Sequence, residues 1–113
     1  MAEVIKDTIK DFVQVKENDS KKFEEIVMAV STKYSIPRDD IFSSKRNKEI
    51  ATARHICVYI ARELTSLSQQ QIAKILNRDR STLVSSEKWV KERMAEDNEF
   101  AFDIKEIIRQ LNN

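Results

Sequence analysis

Not one glycine occurs in this chain of 113 residues, and there is one proline, Pro37. The tight hairpins that join β-strands need residues at ease with positive φ, and glycine usually fills that need. A chain without it is poorly equipped for a sheet and well equipped for helices, where every glycine costs stability. A tight left-handed turn between helices must then fall to a residue such as Asn. The length fits one domain with a single core. The expected fold is all-α, a compact helical bundle.

Apolar spacing divides the chain into helices. Ile5, Ile9, Phe12 and Val13 share one face of a first helix, over 3–15. The polar run 16–20 interrupts it, with Asp19 or Ser20 placed to cap the next helix. Phe23, Ile26, Val27, Val30 and Tyr34 form the stripe of that helix, which Ser35-Ile36-Pro37 ends, since a residue before proline disfavours the α region. A short piece brings Ile41 and Phe42 to the core, and 43–47 reads as a basic loop with Asn47 as cap. Over 48–64 the apolar positions cover so much of the circumference that this helix belongs at the centre. Ser68 and Gln71 match a capping box before a short helix, and Asn77 suits a left-handed turn after it. Leu83, Val90 and Met94 then mark a longer helix, and Phe100, Ile104, Ile107, Ile108 and Leu111 a last one. The organisation expected is an N-terminal amphipathic helix and linker over 1–19, followed by one domain over 20–113. No repeat or low-complexity segment appears.

The formal charge of +1 hides an uneven distribution. Residues 1–37 hold 6 basic and 7 acidic residues, residues 38–93 hold 12 and 7, and residues 94–113 hold 2 and 5. An electrostatic footprint therefore belongs to the middle of the chain. No apolar run is long enough to span a membrane, and the early acids of the N-terminus do not read as a signal peptide. Cys57 stands alone inside an apolar pattern and reads as a buried structural thiol, which suits a cytoplasmic setting. His55 has no Cys or His partner for a metal. No nucleophile–base pair or acid pair stands out, so neither an enzyme nor a cofactor nor a small-molecule substrate is expected.

The segment Arg78-Asp79-Arg80-Ser81-Thr82 opens a helix with an unusually dense polar cluster. A short capped helix, a tight turn and a longer helix with a polar first turn make the layout of a helix-turn-helix. The residue types suit duplex DNA. Arg78 and Arg80 are forks for phosphate oxygens or guanine O6 and N7, Asp79 accepts from cytosine N4 or else caps its helix, and Ser81 and Thr82 donate to phosphate or bases. Free N–H groups at the starts of both helices, Ser68 and Gln69 at the first, suit phosphates. Lys45, Lys48, Lys74 and Lys88 are phosphate candidates or simply solvated charges. His55 sits where a helix-surface residue brushes phosphate. Trp89 reads as packing against a neighbouring helix.

From about residue 20 onward the chain resembles the C-terminal DNA-binding domain of the bacterial replication initiator DnaA, which is similar in shape to the Trp repressor. The matching pieces are Tyr34-Ser-Ile-Pro with Asp40-Ile41, Ser44-Lys45-Arg46, Ile50 to Arg54, Tyr59 through Arg62-Glu63-Leu64-Thr65, Leu67-Ser68 with Ile72, and Arg78-Asp79-x-Ser81-Thr82. Leu76-Asn77 stands where the family has two glycines, and Arg80 where it has histidine. The resemblance implies double-stranded DNA as partner, with residues 79–82 in the major groove, Arg46 in the minor groove and Arg54 on the DNA backbone. Arg54 has an alternative in an ion pair with Glu49 or Glu63. The implied role is a nucleoid-associated regulator or accessory factor in replication or transcription. Without glycine the chain has no Gly-rich phosphate loop, so no ATPase activity is expected. The rival reading is a helical protein-interaction module that has lost DNA binding. The stripe Ile5-Ile9-Phe12 either folds back on the domain or meets a second copy or protein partner.

Overall fold

A computed structural model describes residues 17–112, and these form six helices. They are α1 (Glu17–Tyr34), α2 (Arg38–Phe42), α3 (Lys48–Leu64), α4 (Gln69–Leu76), α5 (Arg80–Glu96) and α6 (Asn98–Leu111). No strand occurs among the described residues. The stripe at Ile5, Ile9, Phe12 and Val13 lies outside them.

Helix α3 is the hub and packs against each of the other five. Its sequence explains this, because Ile50, Ala53, Ile56, Cys57, Val58, Ile60 and Ala61 are all buried and together occupy most of its circumference. Phe23, Ile26, Val27 and Val30 of α1, Ile41 of α2, Ile72 and Leu76 of α4, Leu83 of α5 and Ile104 and Ile107 of α6 close on it. Cys57 has no exposure, and burial pushes its thiol up to about 12. It is an inert packing residue, as its sequence context predicts.

The helix ends show how a chain without glycine turns corners. Asn77 adopts φ 54 and ψ 50 after α4. The Asn77 and Arg78 amides return to the Lys74 and Ala73 carbonyls at 3.2 and 2.8 Å, a Schellman arrangement that satisfies the helix end. Ser35 does the same after α1, at φ 54, with Ile36 N–H on the Ser31 carbonyl at 3.0 Å. The sequence shows the proline that ends α1 but carries no sign of the left-handed serine before it. Helix α4 begins with the expected capping box: Ser68 Oγ accepts from the Gln71 amide and Gln71 Oε1 from the Ser68 amide. One expectation fails at α1. Asp19 and Ser20 do not cap it but lie inside its first turn, where Glu17 and Asp19 favour the helix dipole. The Ser66 hydroxyl donates to Asp19 and fixes this end of α1 to the α3–α4 loop.

Trp89 packs edge-on to Phe100 at 5.9 Å and beside His55 at 5.3 Å, so the sole tryptophan sits partly buried where α3, α5 and α6 meet. On the side where α1 meets α6, Met28 and Phe102 remain exposed, at 50% and 63%, over a groove floored by Ala29 and Ile107.

Candidate nucleic-acid interface

One carboxylate links helices α3, α4 and α5. Glu87 of α5 accepts from Arg62 Nε of α3 at 3.0 Å and from Gln69 Nε2 of α4 at 3.2 Å. Arg62 also donates from Nη1 to the Leu67 carbonyl at 3.0 Å, just before α4. Gln69 therefore spends its amide inside the helix-turn-helix rather than presenting it outward. Buried Leu76 before the turn and Leu83 after it seal the inner side of the pair.

The outer side is polar and unspent. Asp79 has the extended backbone of an N-cap, φ −76 and ψ 149, and its carbonyl accepts from the Thr82 and Leu83 amides. Its carboxylate, however, makes no cap hydrogen bond. Asp79, Arg80, Ser81 and Thr82 are all exposed, and among the described residues no side chain pairs with them. Lys74 and Gln70 face the same polar notch between α4 and α5 as Arg78, Asp79 and Arg80. Lys88 is exposed two turns further along α5. Between Ser81 and Lys88 on this face lies Val84, 45% exposed. It is not among the residues expected from sequence. The signal was available, because Leu83, Val90 and Met94 mark the core face in the sequence and Val84 falls off it.

Arg46 lies on the loop between α2 and α3, exposed and without a partner among the described residues. The loop itself is fastened. Ser43 Oγ bonds the Asp40 carbonyl at 2.6 Å and accepts from the Lys45 amide at 3.2 Å, and Lys45 Nζ pairs with Asp40 at 2.8 Å. The largest fastening is Arg54. Its residue is only 7% exposed. Nε donates to the Ile41 carbonyl at 2.8 Å, and Nη2 reaches the carbonyls of Asp40, Ser43 and Lys45 at 3.2, 2.8 and 3.3 Å. This matches neither role expected from sequence. The guanidinium faces neither Glu49 nor Glu63, and it turns inward to loop carbonyls rather than outward to a DNA backbone. Burial, and then the nearby Arg78 charge, lower the Arg54 pKa.

Arg78 is half-buried and donates from Nη2 to the same Ser43 carbonyl at 2.7 Å. His55 also departs from its expected surface position. It is half-buried, with Nδ1 2.7 Å from Ser86 Oγ across the α3–α5 contact. Ser86 Oγ sits 3.0 Å from the Thr82 carbonyl and spends its only proton there, so His55 Nδ1 is the donor in their bond. Burial, then Arg54, lower the His55 pKa. Ser68 is exposed, but its hydroxyl and its N–H are both committed to the capping box, so its N–H is not the free phosphate donor expected from sequence. The expected residues thus fall into two groups. Arg46, Lys74, Asp79, Arg80, Ser81, Thr82 and Lys88 are exposed and available, whereas Arg54, His55, Ser68, Gln69 and in part Arg78 hold the scaffold. Among the described residues no cluster of His, Cys, Asp and Glu is arranged for a metal, and no helix is long and apolar enough to cross a membrane.

Comparison with known proteins meets this geometry at the same residues. The family described as the bacterial dnaA protein helix-turn-helix matches residues 23–90, from α1 into α5. The chromosomal replication initiator protein DnaA of Methylacidiphilum infernorum is 32% identical over 106 residues, covering 93% of this chain and 23% of its own length. That of Nautilia profundicola is 32% identical over 115 residues, covering 98% and 26%, and that of Clavibacter sepedonicus 31% over 94 residues, covering 82% and 20%. The chain thus spans about a fifth to a quarter of the length of these curated relatives. With its hub helix, its left-handed turn at Asn77 and the match running through α4 and into α5, the chain belongs to the bacterial DnaA helix-turn-helix family.

Proposed function

We propose that this chain binds double-stranded DNA with a sequence preference, placing the first turn of α5 in the major groove. One observation carries the reading: four consecutive polar residues, Asp79 to Thr82, are exposed at a helix start with their side chains unspent. A polar cluster that served only the fold would cap the helix or pair within it, and this one does neither. Family membership points the same way.

Each residue then takes a role by its chemistry. Arg80 offers a fork to guanine O6 and N7, and Asp79 an acceptor to cytosine N4. Ser81 and Thr82 reach phosphate or base edges, while Lys74 and Lys88 neutralise phosphates on either side. Val84 presents two methyl groups to the groove floor, where thymine carries its own. Arg46 enters the minor groove from the α2–α3 loop. Arg54 and His55 support this surface from within. The chain's role is that of a regulator or accessory factor in replication or transcription.

The test is titration of a fluorescent duplex by anisotropy at several salt concentrations. Phosphate contacts release counterions, so affinity should fall steeply with salt, with a log–log slope of roughly −0.9 per phosphate neutralised. Arg80→Ala should cost about 1–3 kcal/mol at one base-pair position and little elsewhere. A uniform loss over all sequences would make Arg80 a phosphate contact only. A second reading, a protein-interaction module, rests on Met28 and Phe102, exposed over the α1–α6 groove. It gains if duplex binding is absent. The sequence-expected stripe at Ile5, Ile9 and Phe12 is a further place for a protein partner or a second copy.

A further inference from the structure

We infer that Arg78 is a positioning residue, which together with Arg54 ties the loop bearing Arg46 to the start of α5. The inference rests on the proposed reading, in which that loop and that helix start enter neighbouring grooves of one duplex.

The junction is a single oxygen. The Ser43 carbonyl accepts Arg54 Nη2 at 2.8 Å and Arg78 Nη2 at 2.7 Å. Arg54 comes from the second turn of α3, and Arg78 from the turn between α4 and α5. Arg54 also holds the carbonyls on either side, at 40, 41 and 45, so the chain is pinned up to the residue before Arg46. Arg46 is thus the first free side chain beyond a rigid anchor, and one of that anchor's two posts is the residue directly before Asp79.

Two guanidinium groups on one carbonyl repel each other, and neither has a carboxylate in an ion pair among the described residues. The fold has little need of the second. The end of α4 is already satisfied by its own amides, and Leu76 and Leu83 close the core around the turn. What Arg78 adds is a fixed offset between the arm and the recognition helix. A fixed offset makes the two contacts cooperate, since a duplex that seats one then seats the other without further ordering of the loop.

The experiment is a double-mutant cycle in the full chain, Arg46→Ala against Arg78→Met, read as duplex affinity on a selected site. If Arg78 acts through the arm, Arg78→Met weakens binding about tenfold with Arg46 present and about twofold or less with Arg46→Ala. Equal losses in both backgrounds, with a salt slope shallower by about one, would make Arg78 a direct phosphate contact and overturn the inference. Arg78→Lys keeps the charge and loses the fork, and it is scanned against duplexes changed one base pair at a time. A loss of discrimination confined to the base pairs that Arg46→Ala affects supports the brace, even if Arg78→Met folds poorly. A uniform loss overturns it. A parent chain that binds no duplex refutes the DNA-binding reading itself, which is seen before any variant is tested.

Discussion

Arg54→Met removes the anchor of the α2–α3 loop while keeping a long apolar stem. The cost is set by the groups that the guanidinium touches. The Ile41 carbonyl lies in a buried bond and loses its side-chain donor, which costs about 1–3 kcal/mol. The Asp40 and Lys45 carbonyls are part-buried at longer range, so water replaces the loss there. The Ser43 carbonyl keeps Arg78. Against this, methionine relieves the desolvation of a cation, which already lowers the Arg54 pKa. The balance is a destabilisation of about 2 kcal/mol, which for a domain of this size lowers Tm by roughly 8 °C. Thermal unfolding followed by far-ultraviolet circular dichroism measures it. Arg54→Lys, whose ammonium replaces the fork with a single point of contact, should recover less than half. A Tm for Arg54→Met within about 2 °C of the parent would refute the claim that these carbonyls depend on Arg54.

Three further outcomes are expected from the structure. Asn77→Ala should cost about 1 kcal/mol, because a Cβ without a polar group resists the left-handed conformation, whereas Asn77→Gly should match or exceed the parent in urea unfolding. His55 has its pKa lowered in the folded chain, so the unfolded chain takes up the proton first. Its contribution to stability is complete above about pH 6.5 and declines as pH falls below that. Since His55 is the only histidine, the slope measured between about pH 5 and 7 should vanish in His55→Gln. Glu24 and Glu106 have lowered pKa values and lose their contribution only at lower pH, below the usual carboxylate range. For Val84, replacing by deoxyuridine a thymine of the selected site that it is proposed to meet should weaken the parent about fourfold, the worth of one buried methyl, and should leave Val84→Ser unaffected.

Much of this fold is written in local pattern. The absence of glycine, the stripe over 48–64, the Ser68 capping box and the left-handed Asn77 all rest on residues a few positions apart, and such signals survive in a linear reading. The polar start of α5 was legible for the same reason. Arg54 was not. Periodicity places it beside the buried face of α3, but only the path of a loop 9–14 residues earlier decides that its head meets carbonyls instead of solvent. His55 and Ser86 are 31 residues apart, and nothing local says that one accepts from the other. The same holds for Arg78 and Ser43, 35 residues apart. Long polar side chains carry ends whose direction the sequence does not encode locally, and these ends divide the scaffold from the exposed surface here.

The unspent first turn of α5 is proposed to read bases. Selection from a random duplex library by the parent chain, repeated with Arg80→Ala, tests it most directly. One enriched motif is expected for the parent, with relaxed preference at a position within it for the variant. No enrichment with the parent, at a salt concentration where sequence-independent phosphate binding is weakened, would contradict it.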